Sequence, residues 1–128
     1  MTTEIPPTNP DIKSVSESVV EMTELVLPND ANTLGNILGG KVMHLIDIAC
    51  AIAALRHCRK PVVTASMDYL DFKHPIKVGE LVIIKAAVNR TFRTSMECGA
   101  KVFSEDLHTG EIKHTSTAYL TYVALDEK

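Results

Sequence analysis

Hydrophobic patterning divides the chain into one densely apolar stretch and several alternating ones. From Lys41 to Cys58, KVMHLIDIACAIAALRHC, apolar side chains surround nearly the whole cylinder and no proline intervenes, which predicts a long helix buried on most sides. It should open near Gly39 and Gly40 and end before Pro61, around Arg56 to Arg59, where basic side chains suit the negative end of the helix dipole. Ahead of it, SVSESVVEMTELVL (14–27) places Val20, Met22 and Val26 in one alternating row and reads as a strand with a ragged phase. PNDANTLGN then forms a loop rich in turn formers.

Beyond the helix lie four extended segments, VVTASMDYLDF, ELVIIKAAVNRTF, TSMECGAKVFSEDL and EIKHTSTAYLTYVAL. In the first, Val63, Ala65, Met67 and Tyr69 share a face before the apolar row slips to Leu70 and Phe72, which predicts a bulge or sharp bend. Pro75 with Gly79, Asn89 to Thr94 and Leu107 to Gly110 supply the turns, the last two short enough for antiparallel hairpins. Strand, helix, then four strands predict an α+β fold: a five-stranded antiparallel sheet wrapped around one long central helix.

At 128 residues with 45% hydrophobic content, there is room for one ordinary core, hence one domain over residues 14–128. Residues 1–13, with three prolines among polar side chains, are expected to be a disordered N-terminal tail. A formal charge of −3 argues against the basic face that nucleic-acid binding needs. The start MTTEIPPTNPD lacks a positively charged head and an apolar run, and no apolar stretch is long enough to span a bilayer, so a cytoplasmic protein without membrane attachment is expected. Cys50, Cys58 and Cys98 are odd in number, lack CxxC spacing and read as reduced, mostly buried thiols.

Two features could carry chemistry. GNILGGKV nearly spells a phosphate-binding loop, but Val42 stands where a magnesium-binding hydroxyl must be and no buried strand leads into it, so Lys41 is not expected to bind phosphate. The second is Asp47, the acid of the apolar helix. Its face runs His44, Asp47, Ala51, Ala54 and Cys58, and small apolar residues on that stripe predict that something covers it, against the bland reading of a solvated side. Gly39 and Gly40 at the helix start leave unpaired N–H groups open to a substrate oxygen, where they could stabilise an oxyanion. They equally suit a tight helix entry alone.

These residues resemble the hotdog-fold acyl-CoA thioesterases, in the branch with a PxxxNxxGxxxGG signature: here PNDANTLGNILGG, with Pro28, Asn32, Gly35, Gly39 and Gly40 in place. The likeness continues through LIDIACAIAALRH, VTASMDYLDFKHPIKVGE and RTSMECGAKVFSEDLHTG to STAYLTYVALDEK, covering about residues 14 to 128. It implies hydrolysis of an acyl-CoA thioester to a free acid and CoA; no metal is expected, because the five histidines show no ligand spacing, and no cofactor beyond the CoA of the substrate. It also implies a site between two subunits, with Asp47 of one facing Asn32 of the other, and a dimer that assembles as a trimer of dimers. Leu38 replaces the aromatic or His frequent before Gly-Gly, and Ala31 the Thr or Val frequent before the Asn; both departures bear on acyl length. For the CoA phosphates, Lys73, Arg93, Thr94 and Ser95 are the candidates, with His74 and Arg90 nearby in sequence. The alternatives are a non-catalytic acyl-CoA-binding module, for which no output domain is visible, and a hydratase or dehydratase using His44.

Overall fold

The structure is a computed structural model that describes residues 19–125. The expected tail and residues 14–18 of the expected first strand lie outside the described residues. Strand β1 (Val20–Leu25), helix α1 (Gly39–Cys58) and strands β2 (Val62–Leu70), β3 (Leu81–Thr91), β4 (Ser95–Glu105) and β5 (Ile112–Ala124) follow in order. The five strands join one antiparallel sheet, as expected, and the structure gives their order as β1-β3-β4-β5-β2.

The inner face of the sheet follows the period of two. Val82, Ile84, Ala86 and Val88 on β3, Met96, Cys98, Ala100 and Val102 on β4, and Ala118, Leu120 and Tyr122 on β5 are all buried. They pack on Val42, Leu45, Ile46, Ala49, Cys50, Ala53 and Ala54 of α1, whose small side chains let the sheet come close to the helix backbone. Each large side chain so buried contributes about 1.5–3 kcal/mol. Among the described residues no helix is long and apolar enough to cross a membrane.

Four expectations need correction. The helix is buried on one side only of the single chain: Met43 and Leu55 are each 41% exposed and His44 is exposed too. Its apolar coat exceeds what one sheet can cover. In the Asp47 stripe, Ala54 belongs to the core at 0% exposure, while Asp47, Ala51 and Cys58 are half-buried. In β2, bulges fall at Thr64/Ser66 and Met67/Tyr69, earlier than expected. Each one resets the alternation, so Val62, Met67 and Leu70 face the core, whereas Val63 and Tyr69 are exposed. The β3–β4 turn is also tighter than Asn89 to Thr94, because pairing runs on to Thr91 opposite Met96 beyond a bulge at Val88/Arg90.

At its C-terminus the helix stops on Arg59, a left-handed residue (φ 58°) whose N–H returns to the Leu55 carbonyl. The Arg56 guanidinium donates to the Val19 carbonyl at 2.9 Å, fastening this end to the start of β1.

Candidate active site

The loop before α1 is organised by Asn32. Its side-chain oxygen accepts the N–H groups of Leu34 (2.9 Å) and Asn36 (3.1 Å), and its own N–H donates to the Asn36 carbonyl. Two backbone donors require the oxygen there, so the NH2 end of the carboxamide is the part left for other partners. Gly35 makes the turn possible at φ 80°. Ile37 N–H to the Ile76 carbonyl and Val78 N–H to the Gly35 carbonyl then stitch the loop to the segment before β3.

Leu38 precedes the helix without a side-chain cap, and the N–H groups of Lys41 and Val42 turn back to its carbonyl. Gly39 and Gly40 therefore carry the unsatisfied donors of the helix start, at the positive end of its dipole. Neither glycine has a positive φ. A Cβ on Gly40 would meet nothing within 4 Å, and one on Gly39 only Phe72 at an ordinary 3.7 Å. Beside them is a cavity of about 280 Å3, lined by Asn32, Gly39, Phe72, Lys73, His74 and Ser116 among others.

Asp47 does not line this cavity. It lies about eight residues beyond Gly39, roughly 12 Å along the axis at 1.5 Å per residue. There its Oδ1 accepts the Thr64 hydroxyl of β2 at 2.8 Å and the Tyr122 hydroxyl of β5 at 2.5 Å, the latter also 2.9 Å from the Asp47 carbonyl. Burial, followed by the bond to Asp47, pushes the Tyr122 phenol well above its ordinary range and keeps it a proton donor.

Within one chain the sequence candidates therefore fall into three groups. Asn32, Gly39 and Lys73 share the first cavity, with Gly40 next to it on the helix. Asp47 stands alone among the candidates in mid-helix. Arg93, Thr94 and Ser95 line another cavity of about 280 Å3 with His57, Cys58 and Lys60 at the helix C-terminus. Lys73 lies 3.8 Å from Asp71, and Arg90 3.9 Å from Glu97. Lys41 sits 3.5 Å from Glu24 and 3.9 Å from Asp30. His44 is exposed on the helix and makes no bond to Asp47 among the described residues.

Sequence reading missed Thr64 and Tyr122. Tyr122 did leave a sign: it occupies an inner-row position of β5, and a buried tyrosine needs a partner for its hydroxyl. Thr64 left none, because a threonine in a strand is ordinary.

A helix cradled by a five-stranded antiparallel sheet, with bare glycine donors at its start and one acid along it, defines a thioesterase-type hotdog domain. Residues 34–111 match the Thioesterase superfamily, and the chain belongs to it. A Bacillus subtilis protein named uncharacterized acyl-CoA thioester hydrolase YkhA is 43% identical over 91% of this chain and 68% of its own length. The Staphylococcus aureus acyl-CoA hydrolase, solved with butyryl-CoA, CoA and CoA disulfide, superposes with a TM-score of 0.87 at 37% identity, over 91% of this chain and 71% of that one. The same enzyme has been solved with an Asp, a Thr or an Asn replaced by alanine. An apo-hexameric acyl-CoA thioesterase gives 0.86 at 46% identity, over 88% of this chain and 72% of that one. The chain thus spans roughly two thirds of the length of these relatives.

Proposed function

We propose that the chain is an acyl-CoA thioester hydrolase whose sites are shared between subunits of a homo-oligomer. The observation that carries this is the 12 Å or so, by helix rise, between the oxyanion-type donors and Asp47. A carbonyl held at Gly39 and Gly40 is out of reach of the same chain's Asp47, since attack requires about 3–3.5 Å. A second chain supplying its Asp47 to the first chain's cavity closes the gap. Asn32 then donates its NH2 group beside the carbonyl, opposite the partner's carboxylate. The order and spacing of the Asn, the Asp and the Thr replaced in the Staphylococcus aureus enzyme are those of Asn32, Asp47 and Thr64 here, which supports the choice of residues.

In the reaction, one water is consumed, the C–S bond breaks, and a carboxylic acid and the CoA thiol are released. Charge developing on the carbonyl oxygen is met by the Gly39 and Gly40 N–H groups. Asp47 drives the attack, either by taking the water's proton or by adding to the carbonyl itself before water releases the acyl group. Lys73, Arg93, Thr94 and Ser95 are assigned to the CoA phosphates; of the two cations, Lys73 lies 3.8 Å from Asp71 and Arg93 has no ion-pair partner among the described residues.

The open edge of β2 and the uncovered side of α1 offer the surfaces for a dimer formed by joining two sheets edge to edge, and three such dimers would make a hexamer. Assaying free thiol release against acyl-CoAs from acetyl to palmitoyl tests the activity. Release from at least one chain length is expected, and none across the panel would sink the reading.

A further inference from the structure

We propose that Tyr122 is a positioning residue that fixes which oxygen of Asp47 reacts. The inference deepens the functional reading above and rests on Asp47 being the catalytic acid. Tyr122 sits on β5 between two paired neighbours, opposite Met96 of β4 and opposite Thr64 of β2, so its backbone has little freedom. Its ring is wholly buried and the hydroxyl, its one polar atom, reaches α1 at Asp47. Thr64, its cross-strand partner, donates to the same oxygen. Two hydroxyls from adjacent strands thus converge on Oδ1 and set the rotation of the carboxylate plane. Oδ2 has no donor among the described residues and is the oxygen left to face water or the thioester.

A phenylalanine would fill the same core space, so packing alone does not call for the hydroxyl. A buried hydroxyl is costly unless bonded, and here the bond goes to the one acid on the helix. Holding that acid from the sheet leaves its orientation independent of the bound acyl group.

The test is Tyr122→Phe in the full-length chain. The variant should keep KM within about twofold and lose about tenfold in kcat, the size of effect that a small misplacement of a reacting group produces. A merely structural hydroxyl would lower the melting temperature and leave kcat of the folded protein alone. The chain has three tyrosines and no tryptophan, which makes the near-ultraviolet tyrosine band an independent readout. Asp47→Ala should shift that band to shorter wavelength by replacing the charged carboxylate acceptor of Tyr122 with the residue-47 carbonyl alone, and should not do so in a Tyr122→Phe background.

Parental kcat in Tyr122→Phe alongside an inactive Asp47→Ala would overturn the positioning role alone. Parental kcat in Asp47→Ala would overturn the functional reading beneath it. Should Tyr122→Phe fail to fold, identical tyrosine bands in the parent and Asp47→Ala would overturn the proposal.

Discussion

Thr64 donates its hydroxyl to Oδ1 of Asp47 at 2.8 Å, so the edge strand of the sheet is fastened to the acid of the central helix. Thr64 precedes the first bulge of β2, which keeps it in register with Tyr122 while the next residues slip. Removing the hydroxyl frees one of two restraints on the carboxylate. Thr64→Ala should lower kcat by about tenfold, the scale of a loosened catalytic group, and Thr64→Ser should keep most of it. Steady-state kinetics on both variants check this; equal losses in the two would assign the effect to the methyl group and not to the bond.

Asp47 itself should be dispensable for folding and indispensable for turnover. It is half-buried on a helix, where alanine is the most favourable residue, so Asp47→Ala should retain the far-ultraviolet circular dichroism of the parent. The loss in kcat should be about 10²-fold or more, as for a positioned acid–base group. A folded variant with parental turnover would remove Asp47 from the mechanism.

Much of this was legible in the sequence because two periods are cleanly written in it. The apolar run of α1 and the alternation of β3, β4 and β5 each admit one reading, and the helix expected to open near Gly39 and Gly40 begins at Gly39. What the pattern hid was contact across elements. Bulges in β2 move Val63 and Tyr69 outward, and no local signal in VVTASMDYL announces them at Thr64 and Met67. The convergence of Thr64 and Tyr122 on Asp47 joins residues far apart in the chain, which periodicity cannot pair. The helix read as buried on most sides, whereas one chain covers only one side of it.

The three thiols should differ sharply in reactivity. Burial pushes the Cys98 thiol up to about 12 and raises Cys50 as well, so neither provides a thiolate near neutral pH. Cys58 is half-exposed at the end of α1, its sulfur 3.5 Å from the Lys60 carbonyl. Titrating the native protein with a chromogenic disulfide at pH 8 should show one thiol reacting ahead of two that wait for unfolding. Cys58→Ser should abolish the early phase, and its persistence would place Cys50 or Cys98 at an opening the structure lacks.

Asp71 should make stability fall at acid pH. The Thr117 N–H (2.7 Å) holds its carboxyl below the ordinary range, helped by the Tyr69 hydroxyl and by Lys73. A depressed folded value means the unfolded chain binds the proton more readily, so the stabilisation is complete above about pH 4 and disappears as pH falls through the folded value. Asp71→Asn should therefore melt at a lower temperature than the parent at pH 7, and the gap should narrow steadily below pH 4. A gap that stays constant to pH 2 would show that charge is not its source.

A site shared between subunits makes a prediction that no single-chain site can imitate. If Asn32 of one subunit works with Asp47 of another, Asn32→Ala and Asp47→Ala proteins each lack a complete site. In a mixed dimer one site carries both lesions and the other carries neither. Random exchange puts half the dimers in this mixed form, so recovery should approach about a quarter of parental activity, by the symmetry of a two-fold assembly. The measurement is thiol release after mixing, with exchange followed separately by labels on the two chains. In single-chain sites, Asn32 and Asp47 would be lost separately in every subunit, and mixing would restore nothing. Demonstrated exchange without recovery would thus return both residues to one chain and contradict the 12 Å or so of helix that separates the glycine donors from Asp47.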